Sequence, residues 1–359
     1  MNKISLVTYH CSANVGAVMQ TYALCRFLKE HGYQVEIVDI RHSEPNLKTI
    51  SEGSPLFIRI AKSIIFPLRI KKIFTKFYPS ISKHYLNLEE LRRNPPVSNY
   101  YIVGSDQVWN STICRDRALA YFLDFGPEDV KRISYASSFG LDHWEPSEYA
   151  STQKVQQCFD RFYAISVREF EGAKILNETF HKDAAIVLDP TLLHDNYPEI
   201  TGNVVEREEI VCYKLNKTND FWLYAPEVSR QIGLPLLLLN HNYPKKGFKY
   251  HFNPSVNQWV RRMAGSSFIL TDSFHGVAFS IIYKKNFAAI LNHNGKDSRL
   301  VSLLKLLHLE DRMFSSVEEM TKVDIWKEPV NYQKVNQYLY ALRMQSAKFL
   351  LDALDYKQF

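Results

Sequence analysis

The sequence predicts an α/β protein built from two Rossmann-like domains that face a central cleft. Strand-like apolar runs alternate with helical patterns along most of the chain, which is typical of parallel sheets covered by helices. The length of 359 residues exceeds what one ordinary hydrophobic core fills. A polar stretch at 194–208 separates two such alternating series, so we place the domain boundary near residue 200.

The first domain, predicted over 1–200, begins with a βαβ pattern. A strand at 4–9 precedes an amphipathic helix at 17–31, which Gly32 closes, and a second strand follows at 34–40. Further strands are predicted at 100–103, 133–137, 164–168 and 185–188, with helices at 148–163 and 172–180. This order indicates a parallel sheet.

The second domain, predicted over 201–330, repeats this alternation. Its expected strands are 210–215, 236–239, 268–271 and 287–291. The remaining residues, 331–359, are predicted to form a helix that packs across one or both domains, because 331–354 carries apolar residues near helical spacing. Since ligands of such sheets bind beyond the carboxyl ends of the strands, we expect the chemistry to lie in the cleft.

The composition is that of a folded protein, with 46% hydrophobic and 23% charged residues. No apolar run approaches the roughly 18 residues that cross a bilayer, so we expect a cytoplasmic protein. Five scattered cysteines without a C-x-x-C pair argue against a disulfide framework and a zinc site. We therefore expect reduced thiols and no metal.

A basic segment at 53–88 carries seven Lys and Arg residues and no Asp or Glu, interleaved with Phe and Ile. Two interpretations stay open. The segment is either a basic helical insertion packed on the first domain or an interfacial helix that rests on anionic lipid at the inner face of the cytoplasmic membrane. Nucleic acid is not an expected partner, because the rest of the chain is balanced in charge.

Polar residues follow the first strand. The loop at 10–17 opens a helix and lacks the G-x-G-x-x-G pattern, which argues against a nicotinamide cofactor. We expect no cofactor. Asn14 and Gly16 are either ligand-binding residues near free backbone N–H groups or residues of a structural turn.

Other polar residues follow later strands of the first domain. Ser105, Asp106 and Gln107 come directly after the strand at 100–103, and Ser138 follows the next one. These groups suit a polyhydroxylated ligand, and capped turns are the alternative.

Arg168 ends another predicted strand of the first domain. Its planar guanidinium could grip a carboxylate or phosphate of a ligand. A pair with Glu169 or Asp189 is the structural alternative.

The strongest local signal lies in the second domain, where His275 follows a strand that ends near Thr271. A helix is predicted to start near Ser273, so His275 falls in its first turn, where free N–H groups attract an anion. A histidine there can exchange a proton near neutral pH. Lys296 and Arg299 precede the next helix and are further candidate ligands of an anion, with helix capping as the alternative.

Six motifs occur in an order that resembles the polysaccharide pyruvyltransferase family. They are N-x-G-A-x-x-Q at 14–20, G-S-D-Q-V-W-N at 104–110, S-Y-A-S-S-F-G at 134–140, S-V-R-E at 166–169, L-D-P-T at 188–191 and T-D-S-F-H-G at 271–276. The resemblance implies a GT-B-like fold and phosphoenolpyruvate as donor without a metal. It also implies formation of a pyruvate ketal on a sugar of a capsular polysaccharide or exopolysaccharide.

The resemblance also implies roles for single residues. His275, Arg168 and Lys296 match positions associated with the donor, and Ser273 and Arg299 lie beside them. Many members carry an arginine where this chain has Phe274, so the donor site of this chain lacks one expected cation.

Ketal formation from phosphoenolpyruvate requires a proton donor, so we assign His275 as general acid and Asp106 as a candidate base. Asn14, Gly16, Ser105, Gln107 and Ser138 are then candidates for binding the acceptor.

The basic segment predicts a lipid-linked saccharide as acceptor and binding to an anionic membrane. A nucleotide-sugar-dependent glycosyltransferase on the same fold is the main alternative, because fold alone does not fix the donor. A catalytically silent partner in polysaccharide assembly is the third interpretation.

Overall fold

The structure of the protein is a computed structural model that describes residues 2–12, 14–41, 68, 70–216, 219–239, 245–292 and 297–356. Contacts divide the chain into two compact units, Met1–Leu193 with Ser346–Phe359, and His194–Gln345. The division lies a few residues before the boundary expected from the sequence, and the end of the chain belongs to the first unit.

The first unit contains a six-stranded sheet in the order β3-β2-β1-β4-β5-β6. All neighbouring strands run parallel. The strands are β1 (Lys3–Val7), β2 (Gln34–Asp39), β3 (Ile81–His84), β4 (Tyr100–Val103), β5 (Lys131–Ser134) and β6 (Phe162–Ala164), and β7 (Ser166–Val167) pairs separately with β8 (Ala185–Ile186). Single parallel bridges join Asp106 to Ser137 and Ser137 to Val167, just beyond the strand ends.

The described part of this unit also contains helices, and the first of them starts and ends at recognisable sequence signals. They are α1 (Val15–Glu30), α2 (70–77), α3 (Leu88–Arg93), α4 (Ser111–Cys114), α5 (Ala118–Tyr121), α6 (Thr152–Phe159) and α7 (Phe170–Phe180), with 3₁₀ turns at Arg115–Arg117 and Pro190–Leu193. The Asn14 side chain caps α1, and Gly32 after its end has a φ of +81°, which a glycine adopts without strain.

The second unit contains another parallel sheet, in the order β11-β10-β9-β12-β13-β14. Its strands are β9 (Arg207–Tyr213), β10 (Leu236–Leu239), β11 (Phe248–His251), β12 (Ser266–Thr271), β13 (Asn286–Ile290) and β14 (Met313–Phe314). Its helices are α8 (Pro198–Thr201), α9 (Asn219–Ile232), α10 (Val256–Gly265), α11 (Phe274–Ile282), α12 (Ser298–Leu306), α13 (Val317–Thr321) and the start of α14 (Tyr332–Ala353), with 3₁₀ turns at Glu310–Arg312 and Ile325–Lys327.

Each sheet has its own buried core. Trp109 packs against Phe122 and Phe159 in the first unit, and Trp259 packs against Tyr213 and Phe279 in the second. The strands β4 and β10 are buried at every position, as expected of parallel strands that are covered on both faces.

Several predicted elements differ from the structure. The helix expected at 148–163 is limited to α6, because the residues before Ser151, which caps it, form turns and bends. The strand expected at 164–168 is divided between β6 and β7.

The basic segment is described only from residue 70 onward, together with residue 68. In α2 the apolar residues Ile70, Ile73 and Phe77 are buried, whereas Lys71, Lys72 and Lys76 are exposed. The apolar side of this helix therefore packs on the first unit, as in the interpretation of a packed basic helix. The segment at 53–67 and Arg69 lie outside the described residues. None of the helices in the described ranges is long and apolar enough to cross a membrane.

Candidate active site

Arg168 lies at the end of β7 inside a buried group of carboxylates. Its Nη1 donates to Asp189 Oδ2 at 2.9 Å, and its Nη2 lies 3.4 Å from Asp106 Oδ1. Its Nε lies 3.7 Å from Glu169 Oε2. The side chain of Arg168 is 1% exposed. The charge of this arginine is therefore already engaged by acidic groups of the same unit.

Asp106 is the member of this group that reaches solvent, with 15% of its side chain exposed. Its φ is +80°, a value that residues other than glycine adopt rarely and at a cost in energy. Its carboxylate accepts a hydrogen bond from the backbone N–H of Gln107 at 2.9 Å. A strained, partly exposed carboxylate at the end of a strand is suited to contact a ligand.

The other acceptor candidates of the first unit are mostly engaged in local structure. The Asn14 Oδ1 accepts from the N–H of Gly16 at 2.9 Å, which is an N-cap contact. Ser105 and Ser138 are fully buried. Ser105 Oγ donates to Asp189 Oδ2, and Ser138 Oγ accepts from the N–H of Gly140.

Gln107 lies beside Asp106 and is half-buried. Its side chain fills the space next to Gly140, since a Cβ there would lie 2.3 Å from Gln107 Oε1. Asp106 and Gln107 are thus the two acceptor-side candidates with exposed surface in this turn.

A second charged group at the same edge of the first sheet was not recognised from the sequence. The His10 Nε2 lies 3.0 Å from Asp39 Oδ1, and Arg41 and His84 approach the same carboxylate. Burial would raise the pKa of Asp39, but the hydrogen bond and charge of His10, with Arg41 and His84, lower it below its usual value. In the sequence, Asp39 was visible only as an acidic residue at the end of the second predicted strand.

In the second unit, His275 occupies the first turn of α11, as predicted. Ser273 is the N-cap, and its side chain accepts from the N–H of Gly276. The histidine is 6% exposed, so it lies just below the surface. A Cβ at Gly276 would lie 2.2 Å from Thr271 Oγ1, so only glycine allows α11 to start this close to β12.

Lys214 and Asp272 lie next to this turn and were also missed. The Lys214 Nζ is 3.2 Å from Asp272 Oδ2, and both side chains are 1% exposed. Lys214 lies 5.0 Å from the centre of the Phe221 ring, which is a cation–π distance. Asp272 was visible inside the T-D-S-F-H-G motif, whereas Lys214 carried no motif.

The remaining donor candidates follow β13. Arg299 is half-buried in the first turn of α12, and Asp297 Oδ2 before it accepts from the N–H of Asn292 at 2.9 Å. Lys296 lies outside the described residues.

These features define a class of protein, the two-domain α/β proteins of the GT-B fold, and solved structures agree. A UDP-GlcNAc 2-epimerase from Methanocaldococcus jannaschii aligns with a TM-score of 0.54 at 11% identity, covering 99% of each chain. The epimerase from Neisseria meningitidis aligns at 0.50 and 9% identity, covering 99% of this chain and 100% of its own. UGT2 from Phytolacca americana aligns at 0.50 and 11% identity, covering 100% of both chains. The predicted fold class is confirmed.

The sequence model of the polysaccharide pyruvyl transferase family matches residues 14–294, which is most of the chain. The chain therefore belongs to this family, and it is a pyruvyl transferase of polysaccharide biosynthesis. The family resemblance drawn from the six motifs is confirmed. No sequence among the curated proteins matches the chain significantly.

Proposed function

We propose that the protein transfers pyruvate from phosphoenolpyruvate to a sugar as a cyclic ketal, during synthesis of a capsular polysaccharide or exopolysaccharide. The observation that carries this proposal is the placement of His275, which is nearly buried in the first turn of α11. The N–H groups and dipole of a helix start attract the phosphate or carboxylate of the donor. The imidazole beside them can then donate a proton near neutral pH.

The reaction needs one proton donor and two sugar hydroxyls. His275 protonates the methylene carbon of phosphoenolpyruvate, and the first hydroxyl adds to C2. Inorganic phosphate leaves, and the second hydroxyl closes the ketal ring on the same carbon. Of the two hydroxyl protons released, one restores the acid and the other leaves with the phosphate, so the overall reaction is balanced without a cofactor.

The donor residues belong to the second unit in this proposal. Ser273 and Arg299 lie at the starts of α11 and α12, where an anion is stabilised. Lys296 remains a predicted donor ligand. Arg168 is less suited to neutralise the donor, because three carboxylates already surround its guanidinium. We assign Arg168 to positioning Asp106 instead.

The acceptor residues belong to the first unit. Asp106 is the base for a sugar hydroxyl, and Gln107 binds a second hydroxyl. Their partial exposure supports this assignment, and burial of Ser105 and Ser138 gives these serines a supporting role.

A lipid-linked saccharide is the proposed acceptor. The three lysines of α2 are exposed while the apolar side of the helix is buried, so they offer charge to an anionic surface without apolar insertion. The enzyme would then act peripherally at the inner face of the cytoplasmic membrane.

A nucleotide-sugar-dependent glycosyltransferase is the second candidate, because proteins that act on UDP-sugars share the fold. Isothermal titration with phosphoenolpyruvate and with UDP separates the two. We expect saturable binding of phosphoenolpyruvate that His275→Gln weakens. Tight UDP binding with no response to phosphoenolpyruvate would favour the second candidate.

A further inference from the structure

The ends of β9 and β12 lie side by side in the second sheet. From Phe268 onward these parallel strands pair in one register, with Tyr213 opposite Thr271. The next residue of each strand is therefore brought to the same place, and Lys214 meets Asp272 there at 3.2 Å. His275 follows Asp272 by one short turn, so the buried pair is joined directly to the start of α11.

Asp272 accepts hydrogen bonds from the loop after β9 in addition to its contact with Lys214. Its Oδ1 accepts from the N–H of Leu215 at 2.7 Å, and its Oδ2 accepts from the N–H and the side-chain amide of Asn216 at 2.9 and 3.0 Å. This carboxylate therefore organises the loop that follows β9.

Thr271 makes a second connection between the same two strands. Its hydroxyl donates to the carbonyl of Tyr213 at 2.7 Å and accepts from the N–H of Ser273 at 3.1 Å. Ser273 in turn caps α11. The turn that carries His275 is thus fixed by hydrogen bonds on both sides.

We propose that Lys214 and Asp272 are positioning residues that hold the His275 turn against the end of β9. The inference rests on the proposed role of His275 as general acid. A buried ion pair is seldom retained for stability, since apolar residues of similar size often stabilise a core as well. The role of this pair is geometric. Lys214 neutralises the Asp272 carboxylate, and the other hydrogen bonds of that carboxylate set the path of the backbone beside His275.

A charge-neutral double variant separates positioning from folding. Lys214→Met alone leaves a buried negative charge and lowers stability. Lys214→Met with Asp272→Asn removes both charges and should regain the part of the stability that the uncompensated charge costs, although an amide cannot accept all the hydrogen bonds of the Asp272 carboxylate. We expect its kcat with phosphoenolpyruvate to remain about tenfold or more below that of the wild type, since small displacements of a catalytic group are costly. Lys214→Arg alone keeps a cation beside Asp272, so this variant should retain most of the wild-type kcat.

The pH profile of kcat gives a second readout that a purely structural pair would not change. We expect the limb assigned to His275 to shift in the double variant, because the ring and its surroundings move. An Arg262→Met with Glu209→Gln variant is the control. This ion pair of 2.9 Å joins α10 to the beginning of β9, whereas Lys214 follows the end of that strand, so its removal should leave both the kcat and the pH profile unchanged.

The outcomes are distinct. A wild-type protein that releases no phosphate from phosphoenolpyruvate overturns the proposed function and this inference with it. An active wild type together with a folded double variant of unchanged kcat and pH profile overturns the inference alone.

Discussion

Arg168 donates from Nη1 to Asp189 Oδ2 at 2.9 Å, and both side chains are almost completely buried. Ser105 Oγ donates to the same oxygen at 2.8 Å. Burial would lower the pKa of Arg168, but the charges of Asp189, Asp106 and Glu169 raise it above its usual value. The arginine is therefore a fixed cation among the loops that carry the proposed acceptor residues.

Replacing Arg168 with Met should destabilise the protein. Breaking a buried ion pair leaves an uncompensated charge and costs about 3–5 kcal/mol. Urea unfolding of the variant measures this loss, and Arg168→Lys, which keeps the charge, should lose less. A variant with normal stability and only a raised KM for phosphoenolpyruvate would return Arg168 to the donor site.

Gly276→Ala should disrupt the start of α11. The added Cβ would lie 2.2 Å from Thr271 Oγ1, and such overpacking typically costs about 1–3 kcal/mol. Gly172→Ala is the matched control, because Gly172 is also the third residue of its helix and its nearest contact would be 3.3 Å. Thermal unfolding should show a clearly larger loss for Gly276→Ala. Equal losses would mean that the Thr271 contact relaxes freely.

Asp39→Asn should lower stability at neutral pH but not in acid. The folded-state pKa of Asp39 is lowered, so its stabilisation is present above the unfolded value and is lost as the pH falls through the folded value. Loss of the charged hydrogen bond with His10 costs about 1.5–3 kcal/mol near pH 7. Urea unfolding across pH should show this difference shrinking below about pH 4. A difference that is constant with pH would contradict the assignment.

Reversing the charge of Lys71, Lys72 and Lys76 to Glu should abolish binding to anionic vesicles. Each exposed cation contributes about 1 kcal/mol of attraction near such a surface. Co-sedimentation with anionic vesicles at low and high salt measures this binding. The control carries Lys245, Lys246 and Lys249 to Glu, an equal charge change on exposed residues of the second unit. Equal sedimentation of both variants, or none for the wild type at low salt, would leave α2 as a packed helix only.

The alternation of strands and helices was readable from the sequence because parallel strands are short, apolar and buried on both faces. The strands β4 and β10 match the prediction residue for residue. The strands β3 and β11 were missed, because Ile81–His84 and Phe248–His251 are half-polar strands at the sheet edges. Their burial depends on neighbours that a local pattern does not reveal.

Prediction of the candidate site from the sequence was limited in the same way, because local patterns do not reveal contacts between distant residues. The place of His275 followed from local signals, a strand end and a cap, which the structure reproduces. The Lys214–Asp272 and His10–Asp39 pairs join residues that are distant in sequence, so only the register of neighbouring strands brings them together. The roles of the predicted donor and acceptor residues stay predictions.

The most direct test of the proposed donor is a transfer assay. The protein is incubated with phosphoenolpyruvate and a panel of galactose-, glucose- and mannosamine-containing acceptors, both free and lipid-linked. Phosphate release and the mass of the product are measured together. We expect phosphate release with a product heavier by one pyruvate ketal, and a loss of about 100-fold or more in kcat for a folded His275→Gln variant. No release with any acceptor, or a His275→Gln variant as active as the wild type, would contradict the account.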